Sequence, residues 1–416
     1  MNKRKMRRNN VYLHEYARLM LRAHISALLV SAFIVFVGCG GSKGDSFPLN
    51  EEPVTLTYSD GIPTIPNLIG TRKESRIFFS ADQEGNGNAD VYSIRPDGTD
   101  LIRMTATTAA ETSPTFSPSK QVVVFARSVK RGLLDDSNRT NLFDPNRASE
   151  LWVMSINGEN PHCIYPNDLT SPFDKARHLF VSFPRFSPEG NLVVYFRTAK
   201  KDDGTFTTFL SRTDIETGAT VDLVANIARA GGPPTWSPDG LRLAFSQLKD
   251  SKYRIFIVDK DGKNLKQVTD PPISFPANGS ILSTNRQVAS DSSPIFTPPS
   301  YTGVPSLIFA RRLEVRTDNG KSIDQSGIYQ VPLSKLEEAS VKPLTPEGAT
   351  LLVGDAPSFA PEGDRIIYVG RSTTGAFGFS IYTIGASEST VLLVSPSTFL
   401  TQKNLLGPPQ WCSGTL

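Results

Sequence analysis

The chain has 416 residues, 38% of them hydrophobic, with 44 Lys+Arg against 41 Asp+Glu. Seven of the basic residues and one acid fall within positions 1–38, which leaves 37 basic and 40 acidic residues beyond them, a net of −3. That balance offers no general attraction to a polyanion and argues against nucleic acid as a partner, while three cysteines (Cys39, Cys163 and Cys412) are too few for a disulfide framework, so the fold must rest on its apolar core.

The first element is an export signal. Lys3, Arg4, Lys5, Arg7, Arg8, Arg18 and Arg22 form a basic flank, and an apolar or small-residue run follows from Ile25 to Val37. As a helix that run rises about 20 Å, short of the ~20 residues that a bilayer span requires. Residues 1–38 therefore read as a secretory signal peptide, with a start at Met20 leaving the same cleavage site. The stretch ends Phe36-Val37-Gly38-Cys39-Gly40-Gly41-Ser42. This resembles the bacterial lipobox, in which a small residue precedes a cysteine that is acylated and becomes the N-terminus. The resemblance implies a lipid anchor at Cys39, palmitate included, and a lipoprotein of the bacterial cell envelope, expected at the outer membrane and facing the periplasm or the exterior. An ordinary cleaved signal with an incidental Cys39 is the alternative. Residues 39–75, rich in Pro, Gly and polar side chains, are expected to be a tether.

From residue 76 onward the chain repeats itself. Apolar runs at 76–80, 90–94 and 101–105 predict three strands. Between the first two, Asp82, Glu84, Asn86, Asn88 and Asp90 gather acids and amides in one loop, a weak calcium candidate whose spacing matches no EF-hand. Then a short phrase recurs: Pro114-Thr115-Phe116-Ser117-Pro118, Pro184-Arg185-Phe186-Ser187-Pro188, Pro234-Thr235-Trp236-Ser237-Pro238, Pro294-Ile295-Phe296-Thr297-Pro298 and Pro357-Ser358-Phe359-Ala360-Pro361. A degenerate copy, Pro409-Gln410-Trp411-Cys412-Ser413, closes the chain. Copies stand about 50 to 70 residues apart, the period of propellers and other arrays whose units bury their faces on one another. After the earlier phrases a turn such as Ser237-Pro238-Asp239-Gly240 leads into a second apolar run, as at 122–126, 243–246 or 365–369. A third run follows, as at 150–154, 254–258, 327–331 and 380–384. Asp97-Gly98, Asn157-Gly158 and Asp261-Gly262 then suit a tight hairpin into a fourth. Four antiparallel strands per unit make a propeller blade.

Phrases such as 234–245 followed by 254–269 resemble the TolB-type propeller repeat, a relative of the WD-repeat blade, over nearly all of residues 76–416. The resemblance implies an all-β fold, a six-bladed β-propeller. The repeat aromatics Phe116, Phe186, Trp236, Phe296, Phe359 and Trp411 are expected to pack between blades. The first strand set lacks an inner strand and the last phrase lacks a blade, so the C-terminal strand is expected to complete blade one and close the ring. TolB proper carries an N-terminal α/β domain as well, and residues 40–75 leave no room for one.

In such a blade the turns between strands one and two, and three and four, lie on one face of the disc. The connections between strands two and three, and from blade to blade, lie on the other. The long insertions at 128–149, 166–182, 270–292 and 312–325 all belong to the second set, which makes that face the candidate binding face. Arg127, Arg197 and Arg311 each follow a second-strand aromatic by two positions, with Arg371 nearby in blade six, and Arg177 and His178 lie in the insertions. Arginine pairs with carboxylates through two parallel bonds, which suits a protein partner or an anionic glycan. No Gly-x-Ser-x-Gly elbow, His-Glu-x-x-His or phosphate-binding Gly loop is present, and His162 and His178 are the only histidines beyond the signal. The sequence thus reads as a binding module rather than an enzyme, with no catalytic residue and no cofactor. A hydrolase or lyase working with loop carboxylates is the alternative.

Overall fold

The computed structural model describes residues 75–83, 89–107, 109–117, 119–130, 147–156, 158–165, 178–201, 203–271, 287–316, 322–324, 327–344, 355–371, 377–385, 389–392 and 405–412. Residues 1–74, with the signal, Cys39 and the tether, lie outside them, as do Glu84, Asn86, Asn88 and Arg177.

Six antiparallel sheets form the blades. Blade one sets β1 (Arg76–Ala81), β2 (Asp90–Ile94) and β3 (Ile102–Arg103) beside the last strand of the chain, β25 (Leu405–Cys412), which pairs with β1. Blade two is β4 (Glu111–Ser117), β5 (Val122–Lys130), β6 (Arg147–Ser155) and β7 (His162–Tyr165). Blade three is β8 (His178–Phe186), β9 (Leu192–Lys200), β10 (Phe206–Asp214) and β11 (Thr220–Val224). Blade four is β12 (Thr235–Trp236), β13 (Arg242–Lys249), β14 (Lys252–Asp259) and β15 (Lys266–Gln267). Blade five holds β16 (Gln287–Phe296), β17 (Ser306–Arg316), β19 (Gly327–Pro332) and β20 (Lys342–Pro343), with a short extra strand, β18 (Ser322–Asp324), paired to β17. Blade six is β21 (Asp355–Phe359), β22 (Arg365–Arg371), β23 (Phe377–Thr383) and β24 (Ser389–Leu392). Helical structure among the described residues is a single 3-10 turn, Glu338–Ser340, and none of their helices is long and apolar enough to cross a membrane.

The apolar core is divided among the blade interfaces. Phe116 stacks on Phe78 of blade one at 5.2 Å, Trp236 packs on Val194 and Phe196 of blade three, and Phe296 on Ala244 and Ile255 of blade four. Phe186 lies against the Val124 and Leu151 cluster of blade two, and Phe359 against Ile308 of blade five. Trp411 completes the circle, joining Ile367 and Phe379 of blade six to Ile77 and Phe79 of blade one. Each blade thus buries its repeat aromatic on the blade before it, which is why no single unit would be stable alone. The register Ile77↔Trp411 and Phe78↔Gln410 makes the closure a main-chain one.

Turn chemistry differs in one respect from the expected tight hairpins. At Asp97-Gly98 the Gly98 N–H donates to Arg95 O (2.9 Å) and Arg95 N–H to Thr99 O (3.0 Å), with Gly98 at φ 81°. That is a type I turn followed by a left-handed glycine, one position longer than a two-residue hairpin. The inner strands also carry a device the repeat phrase does not spell out. Pairing slips between Thr112 and Thr115, Ser182 and Arg185, and Ser292 and Ile295, and within these bulges Ser113, Phe183 and Ser293 adopt φ of 54°, 56° and 51°. Each immediately precedes the phrase's proline, which donates no ladder hydrogen bond, so the strand bends there.

Candidate functional site

Strand direction fixes the two faces. The connections 118–121, 187–191, 237–241 and 360–364 run from first to second strands, and 156–161, 215–219 and 260–265 from third to fourth, so all lie on one face. Neighbouring turns there are fastened together: Ser119 Oγ donates to Glu189 O (2.8 Å), Lys120 pairs with Glu216 (2.7 Å), and Ser300 Oγ donates to Pro361 O (2.7 Å). The opposite face carries the long connections. They are shorter than the sequence led us to expect, because the strands continue into them: β5 runs to Lys130, β8 begins at His178, β16 at Gln287, and β17 extends to Arg316. The strand ends that bound residues 131–146, 166–177 and 268–286 are on that face.

Arg127, Arg197 and Arg311 occupy equivalent positions at the long-loop ends of their second strands. Strand residues two apart share a side of the sheet, so each guanidinium can lie over the aromatics of its own sheet. Arg127 sits 4.1 Å from the Trp152 ring centroid, Arg197 4.5 Å from Phe209, and Arg311 5.2 Å from Tyr329. Every one of them also holds a carboxylate of its own blade. Arg311 Nε and Nη2 donate to the two oxygens of Asp291 at 2.7 and 2.8 Å, and its Nη1 and Nη2 to Glu338 at 2.9 and 3.0 Å. Arg197 Nε and Nη2 donate to Asp222 at 3.2 and 2.5 Å. Arg127 Nε donates to Glu111 Oε1 at 3.0 Å, an oxygen that also accepts from Thr107 Oγ1 at 2.5 Å. The three guanidiniums are therefore each held within their own blades.

The acids that hold them were missed at the sequence level, and a signal existed. Glu111 and Asp291 stand three positions before the repeat proline, directly opposite Arg127 and Arg311 in the ladder. In blade three that position is Val181, and Arg197 turns outward to Asp222 on the fourth strand instead. Glu111 and Asp291 are wholly buried. Burial pushes both carboxyls up, against the pull of their arginines. For Arg311 burial opposes the charge, but its bonds to Asp291 and Glu338 outweigh it and hold the guanidinium above its ordinary value.

The remaining candidates separate. Arg371 ends β22 opposite Phe377, and His178 begins β8 opposite Ala199; their side chains, like all of Arg177, lie outside what is described. Of the calcium candidate, Asp90 is buried and its carboxylate is engaged by Arg103 and Thr105, so its charge is already matched. Among the described residues no group of three or more His, Cys, Asp or Glu is placed to hold a metal ion.

No family model matches the chain, and no curated protein matches it in sequence. Solved structures do. TolB from Acinetobacter baumannii is 15% identical with a TM-score of 0.47, over 81% of this chain and 66% of that one. Oligogalacturonate lyase from Vibrio parahaemolyticus is 13% identical with a TM-score of 0.41, over 74% and 86%. Hydrazine synthase from Kuenenia stuttgartiensis is 11% identical with a TM-score of 0.50, over 83% of this chain and 47% of that one. At such identities the likeness is one of fold.

Proposed function

We propose that this chain is a lipid-anchored propeller of the bacterial cell envelope that binds a protein or glycan partner through its long-loop face. The observation that carries the reading is the asymmetry of the disc. Most connections on one face are turns, several of them fastened to their neighbours, whereas the strand ends that bound residues 131–146, 166–177 and 268–286 lie on the other, together with the arginine ends of three second strands. Connections of that length on a rigid ring are where binding proteins place their contacts. Anchoring rests on the apolar run that ends Val37-Gly38-Cys39. Two or more acyl chains hold a protein to a membrane where one chain would not.

Two variants test the two halves. Cys39→Ser should lose incorporation of radiolabelled palmitate and partition into the aqueous phase of a detergent extract; unchanged labelling would contradict the anchor. Replacing residues 132–145 with a short Gly-Ser turn should abolish co-purification of the partner from envelope extract while the thermal melt stays in place. Retained co-purification would move the binding surface elsewhere.

A further inference from the structure

We propose that Arg127 is a carboxylate-binding site, the arginine whose outer donors the ring leaves to a ligand. The proposal rests on the long-loop face being the binding face, and it names the chemistry that face recognises.

The protein contains its own template. In blade five the arginine at this register binds two carboxylates at once: Asp291 along its inner edge and Glu338 across Nη1 and Nη2. In blade two Glu111 takes the inner edge through Nε alone, its Oε2 making no hydrogen bond, and among the described residues neither Nη of Arg127 has a hydrogen-bond partner. Among the described residues nothing fills beside Arg127 the place that Glu338 fills beside Arg311. The guanidinium is nonetheless held in position, with the Trp152 ring under its face and the Glu111 carboxylate on its edge. Its side chain is 11% exposed, whereas that of Arg311 is 4% exposed and saturated from within. A fixed fork with two unused donors matches the two oxygens of a carboxylate.

The charge opposing such a ligand is Glu150, the cross-strand neighbour of Arg127, whose Oε2 accepts from the Trp152 indole N–H at 3.0 Å. Glu111 is the second acid on the site, and Arg103, paired to Asp90, is the further cation within its electrostatic reach. Removing the Glu150 charge while keeping an acceptor for the indole should therefore favour an incoming carboxylate and leave a neutral ligand indifferent.

The test is titration of the full chain with glutarate, followed calorimetrically, with glutaramide as the uncharged control. Wild type should bind one glutarate per chain and glutaramide far more weakly. Arg127→Gln should lose ~10-fold or more in affinity, and Glu150→Gln should gain several-fold. Glu338→Ala, which empties the equivalent place beside Arg311, should raise the stoichiometry from one to two. That gain does not depend on whether Arg127→Gln folds well. Acetyl-glutamate amide and glucuronate, titrated in parallel, assign the natural carboxylate to a protein or to a glycan, and preference for either supports the site. Equal binding of glutaramide and glutarate, or unchanged affinity in Arg127→Gln, would overturn it. Partner contacts mapped to the short-turn face alongside a loss of glutarate in Arg127→Gln would refute the face reading and leave the site standing.

Discussion

Removing the Trp411 side chain should loosen the ring at the seam between blade six and blade one, because that residue packs on both. Trp411 is 5% exposed and lies in one cluster with Ile77 and Phe79 of blade one and Ile367 and Phe379 of blade six. Its indole N–H donates to Ser75 Oγ at 2.5 Å, its backbone N–H to Ser358 Oγ at 3.0 Å, and Arg365 lies 5.0 Å from its ring. Truncating a buried aromatic to alanine costs ~3–5 kcal/mol. Unfolding entropy of about 2.1 cal/mol/K per residue gives a propeller of roughly 340 residues ~0.7 kcal/mol/K, so Trp411→Ala should lower the melting temperature by ~4–7 °C. Deleting residues 407–416 should do more, since it also removes the Gln410 acceptor of the Phe116 N–H (3.0 Å) and bares the edge of β1, so aggregation is expected. Phe206→Ala, at 46% exposed, is the control and should shift the melt by about 1 °C or less. Circular dichroism melts of the three proteins measure this. A Trp411→Ala protein that melts with the parent would show that the ring does not depend on this closure.

Arg311→Ala should be costly, because it leaves Asp291 buried without its partner; breaking such a pair costs ~3–5 kcal/mol, and a melt comparing it with Arg197→Ala, whose Asp222 is 35% exposed, should show the larger fall for Arg311. Charge reversal at Arg311 would for the same reason unfold the blade rather than report on binding. Burial raises the Glu111 carboxyl, so its contribution to stability is complete below the ordinary value of 4.5 and is lost as the pH rises through the higher folded value. Glu111→Gln should accordingly gain on the parent in melting temperature as the pH rises above 4.5; a difference independent of pH would contradict the direction of that shift.

The architecture was legible because repetition carries it. Six copies of Pro-x-aromatic, spaced by turn phrases, specify both the inner strands and the aromatics between blades, and the missing halves at the two ends foretell the pairing of β25 with β1. The bulges were not legible, since Ser113, Phe183 and Ser293 are not residues that announce a positive φ; the bend is imposed by the proline that follows and by packing around the ring. The arginine clasps were only half legible. Arg127 and Arg311 stand out by register, but their carboxylates come from 16 and 20 residues away, and Glu338 from 27, across connections whose course a linear reading does not fix. Glu111 and Asp291 could have been paired with them by their common place before the proline. The choice of Asp222 in blade three could not, because it follows from Val181 leaving the inner position without an acid.

The most direct test of the binding reading is site-specific photocrosslinking in cells, with the crosslinking residue placed in turn at Ser128 and Thr107 on the long-loop face and at Asp261 and Glu189 on the short-turn face. The account predicts a defined adduct from the first pair and none from the second. Adducts from Asp261 or Glu189 alone would contradict it.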